Sequence, residues 1–139
     1  MRYGELIGLL MVGLQGLLKK NLKINEASFQ QIIAIFVIPD SGIEMTALSK
    51  ILGIDNSTAT RLIAGLEKKD WVKKSTSLED KRVVLVYITK KGHHVQKQIE
   101  NQLDVIGESV EKIIRPKERQ ELLSQVMFFY WKLSKMVLK

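Results

Sequence analysis

Three short hydroxyls and one guanidinium, from Ser57, Thr58, Thr60 and Arg61, crowd into a run of five residues. Hydroxyls of that length can reach phosphate oxygens or the edges of bases, and an arginine can bridge O6 and N7 of a guanine. Further along, Asp80-Lys81-Arg82 sets a carboxylate and a guanidinium two residues apart in a turn that enters a strand, so both can project from the same side. Plainer uses exist for each group. Ser57 and Thr58 could help cap a helix, Arg61 could be solvated, and Asp80 with Arg82 could form an exposed ion pair worth about 0 to 1 kcal/mol. Lys73, Lys74 and Lys81 suit sequence-independent phosphate contacts or simple solvation.

Other chemistries find no foothold. The sequence has no cysteine, which excludes disulfides, thiolate metal sites and thiol redox switching. Its only histidines, His93 and His94, are adjacent, and neighbours on a helix point about 100° apart, too far to share one ion. No metal site and no cofactor are expected. There is no nucleophile-elbow pattern with ordered Ser, His and Asp, no phosphate-binding glycine loop and no paired-carboxylate site, so an enzyme is not expected either.

The charge is concentrated. Residues 1–60 are neutral overall, 61–91 carry +5, 92–111 carry −3 and 112–139 carry +5, for a net +7. The first basic block holds the charged groups named above, from Arg61 to Arg82, and is compatible with a polyanion partner. The second, from Lys112 to Lys139, can be the solvated edge of flanking helices and is given no DNA role. A chain of 139 residues, 45% apolar and 27% charged, fits one globular domain over 1–139 of cytoplasmic type. The apolar stretch Leu6–Leu18 is 13 residues long, short of the roughly 20 a membrane span needs. Its flanks, Glu5 and Lys19-Lys20, do not suit a signal peptide, and no membrane partner is expected.

These groups must be carried by elements the pattern already outlines. A first helix covers the apolar N-terminal stretch and reads as buried, although Leu6, Ile7, Leu9, Leu10, Met11, Val12 and Leu14 run almost round it. Asn25 and Glu26 predict the cap and acidic first turn of a second helix with Phe29, Ile32, Ile33, Phe36 and Val37, stopped by Pro39-Asp40-Ser41-Gly42. A short helix opens at Thr46, with Ala47, Leu48, Ile51 and Leu52 on one face, and ends at Gly53. The next is capped by Asp55 or Asn56, with Ala59, Leu62, Ile63 and Leu66 inward, which turns Ser57, Thr58, Thr60 and Arg61 outward. Two short helices about a glycine-containing turn form a helix-turn-helix candidate. Trp71–Lys74 and Val83–Ile88 then read as a β-hairpin about a polar turn. A helix pair followed by a hairpin is the arrangement of a winged helix. Helical pattern returns from Thr89 to about Ile114, and Pro116 opens a last helix to about Leu138. The apolar N-terminal helix and the consecutive Phe128, Phe129, Tyr130 and Trp131 call for more cover than one small chain supplies, and an obligate dimer accounts for both.

The run Ser57-Thr58-Ala59-Thr60-Arg61-Leu62-Ile63 to Leu66-Glu67-Lys68-Lys69, then Trp71-Val72, Asp80-Lys81-Arg82 and Ile88-Thr89-Lys90-Lys91-Gly92, resembles the multiple-antibiotic-resistance regulator (MarR) family over about residues 24–94. The resemblance implies a mainly α fold with a small β-hairpin wing: a winged helix-turn-helix over 24–94, flanked by dimerisation helices at 1–22 and 95–139. It further implies a homodimer on a pseudo-palindromic double-stranded DNA operator, with recognition helices in successive major grooves about 34 Å apart. Arg82 then reaches the minor groove, where negative potential favours a guanidinium, while Asp80 holds the wing through charge pairing. Members often repress transcription and release DNA when a small aromatic or phenolic effector binds. The sequence departs from the pattern at Asp70, where a glycine usually ends the recognition helix, at Lys74, where arginine is common, and at Leu78-Glu79, where a proline is usual.

A winged helix can also serve as a dimeric protein-interaction module without specific DNA binding, since fold does not fix function. In that case an apolar or acidic outward face on the recognition helix is expected, whereas here it is hydroxylic and basic. An effector pocket between Leu9–Leu18, Phe29–Phe36 and the start of the Thr89 helix is geometrically allowed, although those residues serve equally as core.

Overall fold

The computed structural model describes all of residues 1–139. In chain order it comprises α1 (Tyr3–Asn21), α2 (Phe29–Val37), β1 (Ile43–Glu44), α3 (Met45–Leu52), α4 (Asn56–Lys68), β2 (Val72–Thr76), β3 (Val84–Ile88), α5 (Lys90–Lys112) and α6 (Pro116–Val137). The mainly α architecture with a small β wing agrees with the pattern in the sequence.

Apolar stripes from five elements converge on one core. Ile35 and Ile38 at the end of α2, Leu48 on α3, Ile63 and Leu66 on α4, Val86 on β3 and Ile99 on α5 are its largest fully buried side chains. Burying an aliphatic side chain of this kind contributes about 1.5 to 3 kcal/mol. Polar groups join the elements where backbone would otherwise lack partners. Gln96 of α5 donates through Nε2 to the Ile35 and Ile38 carbonyls, both at 2.9 Å, satisfying orphan acceptors at the end of α2. Gln102 grips the Lys23 backbone from both sides, accepting from its N–H and donating to its carbonyl at 2.8 Å each.

Three strands form an antiparallel sheet in the order β1-β3-β2. The hairpin pairs Val72 with Ile88 through to Thr76 with Val84, and β1 adds Ile43 against Val86 and Glu44 against Leu85. The sequence reading placed two strands. The third was missed because two residues are too short to show alternation.

Three other expectations need correction. The cap of α2 is Ser28, which accepts from the Gln31 N–H at 3.1 Å while Gln31 Oε1 accepts from the Ser28 N–H at 3.1 Å. This reciprocal capping box displaces Asn25 and Glu26 into a turn, with Glu26 at φ 61°. The inward face of α3 keeps Leu48 and Leu52 from the expected stripe but adds Met45 and Ser49 and leaves Ile51 exposed, and the helix opens one residue earlier than Thr46. The first helix is not buried within one chain: α1 has no buried residue, and only Leu18, near its end, packs against the core. The same holds for α6, whose Phe128 and Trp131 are exposed. The two helices touch through Tyr3 and Phe129, with ring centroids 6.2 Å apart.

Candidate nucleic-acid interface

The outward groups of α4 depend first on how the helix begins. Asp55 is its N-cap, accepting from the Thr58 N–H at 2.7 Å and from the Ser57 hydroxyl at 2.9 Å. The Thr58 amide, then the Thr58 and Ser57 hydroxyls, and more weakly the Arg61 charge, lower the Asp55 carboxyl to about 2. Thr60 donates its hydroxyl back to the Asn56 carbonyl at 2.8 Å. Ala59, Ile63 and Leu66 are buried and Leu62 is half-buried, which leaves Ser57, Thr60 and Arg61 exposed, as the stripe requires. Thr58 is half-buried, its amide spent on the cap. Arg61 takes part in no ion pair and no side-chain hydrogen bond, so its donors are free.

The angle between α3 and α4 is held by a residue that sequence reasoning missed. Ser49, the one buried polar side chain, places its Oγ 2.8 Å from both the Thr46 carbonyl and Asn56 Oδ1. It thereby ties the middle of α3 to the first residue of α4. A serine in an amphipathic stripe carries no sign of this, since the partner lies seven residues away across a turn. The turn itself was legible: Gly53 is left-handed at φ 67°, and its N–H donates to the Lys50 carbonyl.

At its other end α4 hands the chain to the wing through Asp70, at φ 62°. A non-glycine residue there is strained, and neighbours fix the strained turn. The Thr89 hydroxyl donates to the Asp70 carbonyl at 2.6 Å and accepts from the Gly92 N–H at 3.0 Å, while the Thr89 N–H donates to the Trp71 carbonyl at 3.1 Å. Lys69 donates to the Glu26 carbonyl and lies over the Trp71 ring, 5.2 Å from its centroid. The base of the wing, the end of α4 and the start of α5 are therefore one hydrogen-bonded joint.

The wing projects from that joint. Ser77 N–H donates to the Val83 carbonyl and Val83 N–H to the Asp80 carbonyl, which closes the turn. Asp80 accepts from the Arg82 N–H at 3.0 Å and pairs with its guanidinium, Nε to Oδ1 and Nη2 to Oδ2, both at 3.2 Å. These bonds lower the Asp80 carboxyl. Leu78 is fully exposed at the tip. Lys81 and Lys73 are exposed without a partner, whereas Lys74 is drawn back to Glu67 of α4 at 3.2 Å.

No group of three His, Cys, Asp or Glu side chains could hold a metal ion, and no helix is long and apolar enough to cross a membrane. His93 lies 3.7 Å from Asp40. An open groove of about 540 Å³ runs between α1 and α5, lined by Leu17, Asn21, Asn101, Gln102, Val105, Ile106, Ser109, Val110 and Ile113. It lies further along α5 than the sequence reading placed a pocket, because Val95 and Ile99 fill the space at the start of that helix.

A helix-turn-helix followed by a wing, set between two long, apolar-surfaced helices, defines a winged-helix protein. The MarR family model matches residues 40–84, from the turn before β1 to the first residue of β3. Over that segment, about a third of the chain, the winged helix is similar to the MarR family. The chain is 32% identical over 76 residues to the transcriptional repressor MprA of Escherichia coli, a match covering 55% of this chain and 43% of that protein. It thus spans under half the length of the curated relatives it matches. The apo form of wild-type MarR from E. coli superimposes with a TM-score of 0.79 at 24% identity, covering 93% of this chain and 97% of that one. FabT of Streptococcus pneumoniae, solved in complex with DNA, gives a TM-score of 0.73 at 20% identity over 97% and 99%.

Proposed function

We propose that this chain is a transcriptional regulator, a ligand-responsive repressor that binds a pseudo-palindromic DNA operator as a homodimer. In this reading the amino-terminal half of α4 enters the major groove and the β2–β3 wing reaches the minor groove. The observation that carries it is the outward face of α4: Ser57, Thr60 and Arg61 are exposed side by side, with Arg61 unpaired, on a helix whose opposite face is core. A protein-binding face would be expected to be apolar or acidic, and this one is hydroxylic and basic. Ser57, Thr58, Thr60 and Arg61 supply the recognition-helix contacts, Lys81 a phosphate contact and Arg82 the minor-groove contact, with Asp80 orienting it.

Dimerisation is supported by the exposed apolar surfaces of α1 and α6, which together present Leu10, Leu14, Val126, Phe128 and Trp131 to solvent in one chain. Monomeric proteins seldom expose apolar patches on this scale. The groove between α1 and α5 is apolar enough for a small aromatic or phenolic effector, and it adjoins the helix that carries the wing joint. Filling it would reset the spacing of the two recognition helices and release DNA.

The test is selection of duplex DNA from a randomised pool, followed by fluorescence anisotropy over a salt series with wild type, Arg61→Ala and Arg82→Ala. The expected result is a two-fold site, a steep salt slope, and a loss of about 1 to 3 kcal/mol for Arg61→Ala concentrated at one base pair per half-site. No enriched sequence, with both variants binding like wild type, would overturn the reading in favour of a protein-interaction module.

A further inference from the structure

Ser57, Thr60 and Arg61 occupy positions i, i+3 and i+4 of α4, so their side chains stand on one face of the helix. Two of the three have already spent their protons. Ser57 Oγ lies 2.9 Å from Asp55 Oδ1, and an ionised carboxylate can only accept, so the serine is the donor. Thr60 Oγ1 lies 2.8 Å from the Asn56 carbonyl oxygen, which also can only accept. Each hydroxyl has a single proton, and what it turns outward is lone pairs. Arg61 is the reverse, a fork of donors with no acceptor and no partner. The face therefore reads acceptor, acceptor, donor.

We infer that Ser57 and Thr60 are specificity-determining acceptors, selecting exocyclic amino groups in the major groove, adenine N6 or cytosine N4, beside the guanine or other base acceptor taken by Arg61. This rests on the proposed DNA-binding reading and refines it. Phosphate oxygens and the O6, O4 and N7 atoms of bases are all acceptors, and to bind them either hydroxyl would first have to give up an internal bond. For Ser57 that bond is to a charged carboxylate, the stronger kind. Asp55 also fills the amino-terminal end of α4, where the helix would otherwise attract a phosphate, and its negative charge repels one. Asp55 is thus a positioning residue: it acts on the operator through the direction in which it points the Ser57 proton.

The experiment uses the full chain and its selected operator, with duplexes in which the adenine or cytosine facing α4 is replaced by purine or 2-pyrimidinone, each lacking only the exocyclic amine. Wild type should lose about fivefold in affinity for the amine deletion, the weight of one hydrogen bond. The Ser57→Ala, Thr60→Val double variant should bind both duplexes within about twofold of each other, since it no longer has the acceptors. Because the comparison is made between duplexes on one protein, any loss of helix stability in the variant cancels. An operator on which deleting the amine at each base pair facing α4 in turn leaves wild-type affinity unchanged overturns the inference while leaving DNA binding intact. So does a variant that loses the same factor on every sequence, with and without the amine, the mark of a hydroxyl spent on phosphate. Failure to select any operator sinks the underlying reading, and this inference with it.

Discussion

Gly92 lies so close to the carbonyl of Trp71 that a Cβ on the glycine would stand 2.0 Å from the Trp71 oxygen. That oxygen cannot swing away cheaply, because it accepts from the Thr89 N–H at 3.1 Å, and Thr89 is itself the cap of α5. Contact between backbone and backbone at this point lets the start of α5 close against the base of the wing. Gly92→Ala should destabilise the protein by at least about 1 to 3 kcal/mol, the usual cost of overpacking. Urea unfolding at fixed protein concentration, compared with wild type, measures it. An unchanged midpoint would mean that the joint between wing and α5 is loose in solution.

Arg82 is held in the wing by three contacts to one carboxylate, at 3.0, 3.2 and 3.2 Å. If Arg82 is the minor-groove contact and Asp80 acts through it, the two should be coupled on DNA. Arg82→Ala should weaken operator binding by about tenfold, the scale of one base-edge contact. Asp80→Ala should weaken it less, and should add nothing in an Arg82→Ala background. Additive losses would assign Asp80 an independent role in the fold of the wing.

The apolar faces of α1 and α6 have nothing to cover them within one chain. Phe128 is 66% exposed and Leu10 41%, on helices whose aromatic rings meet at Tyr3 and Phe129. A second copy of the chain would bury both. A charge placed there, Phe128→Glu or Leu10→Glu, should cost dimerisation about 2 kcal/mol or more, as central interface positions do. Sedimentation velocity should show wild type as a dimer and the variants shifted to monomer, with loss of two-fold operator binding. A monomeric wild type would remove the dimer from the proposed function.

Most of this architecture was legible because its determinants are local. Asp55, Gly53, Thr89 and Pro116 each mark a helix boundary through the chemistry of the orphan backbone groups next to them, and each boundary falls within a residue or two of where those groups place it. The hairpin followed from β-branched residues on either side of a polar turn. What escaped was non-local or too short. β1 is two residues that become a strand only by lying against Val86 and Leu85. Ser49 reads as an interruption of an apolar stripe until Asn56 is brought to it. The cap of α2 is the exception, since the Ser28-x-x-Gln31 spacing of a capping box is local and legible, and its two reciprocal bonds outrank Asn25, which matches Ser28 on residue type alone. In the candidate site the outward residues could be named from the helical period, but the direction of their protons depends on distances of 2.8 and 2.9 Å that no spacing encodes.

Asp55 links the fold to the site through its ionisation. Its carboxyl is lowered from the ordinary 3.8 to about 2, first by the Thr58 amide and then by the Thr58 and Ser57 hydroxyls. A carboxyl whose folded value lies below its unfolded one stabilises the fold fully above the unfolded value, and that contribution is lost as pH falls through the folded value. The loss should therefore run from about pH 4 down to about pH 2, with none of it near neutrality. Protection of the Thr58 amide, its exchange relative to the intrinsic rate at each pH, should fall over that window as the first turn of α4 frays, and a carboxyl titration followed by NMR should show Asp55 turning over at about 2, well below the ordinary 3.8. Asp55→Asn should flatten the window, since an amide still accepts from Thr58 but does not titrate. If Asp55 titrates near 3.8 instead, its bonds to Thr58 and Ser57 are not maintained in solution. The Ser57 proton is then free to turn outward, and the acceptor character of that position goes with it.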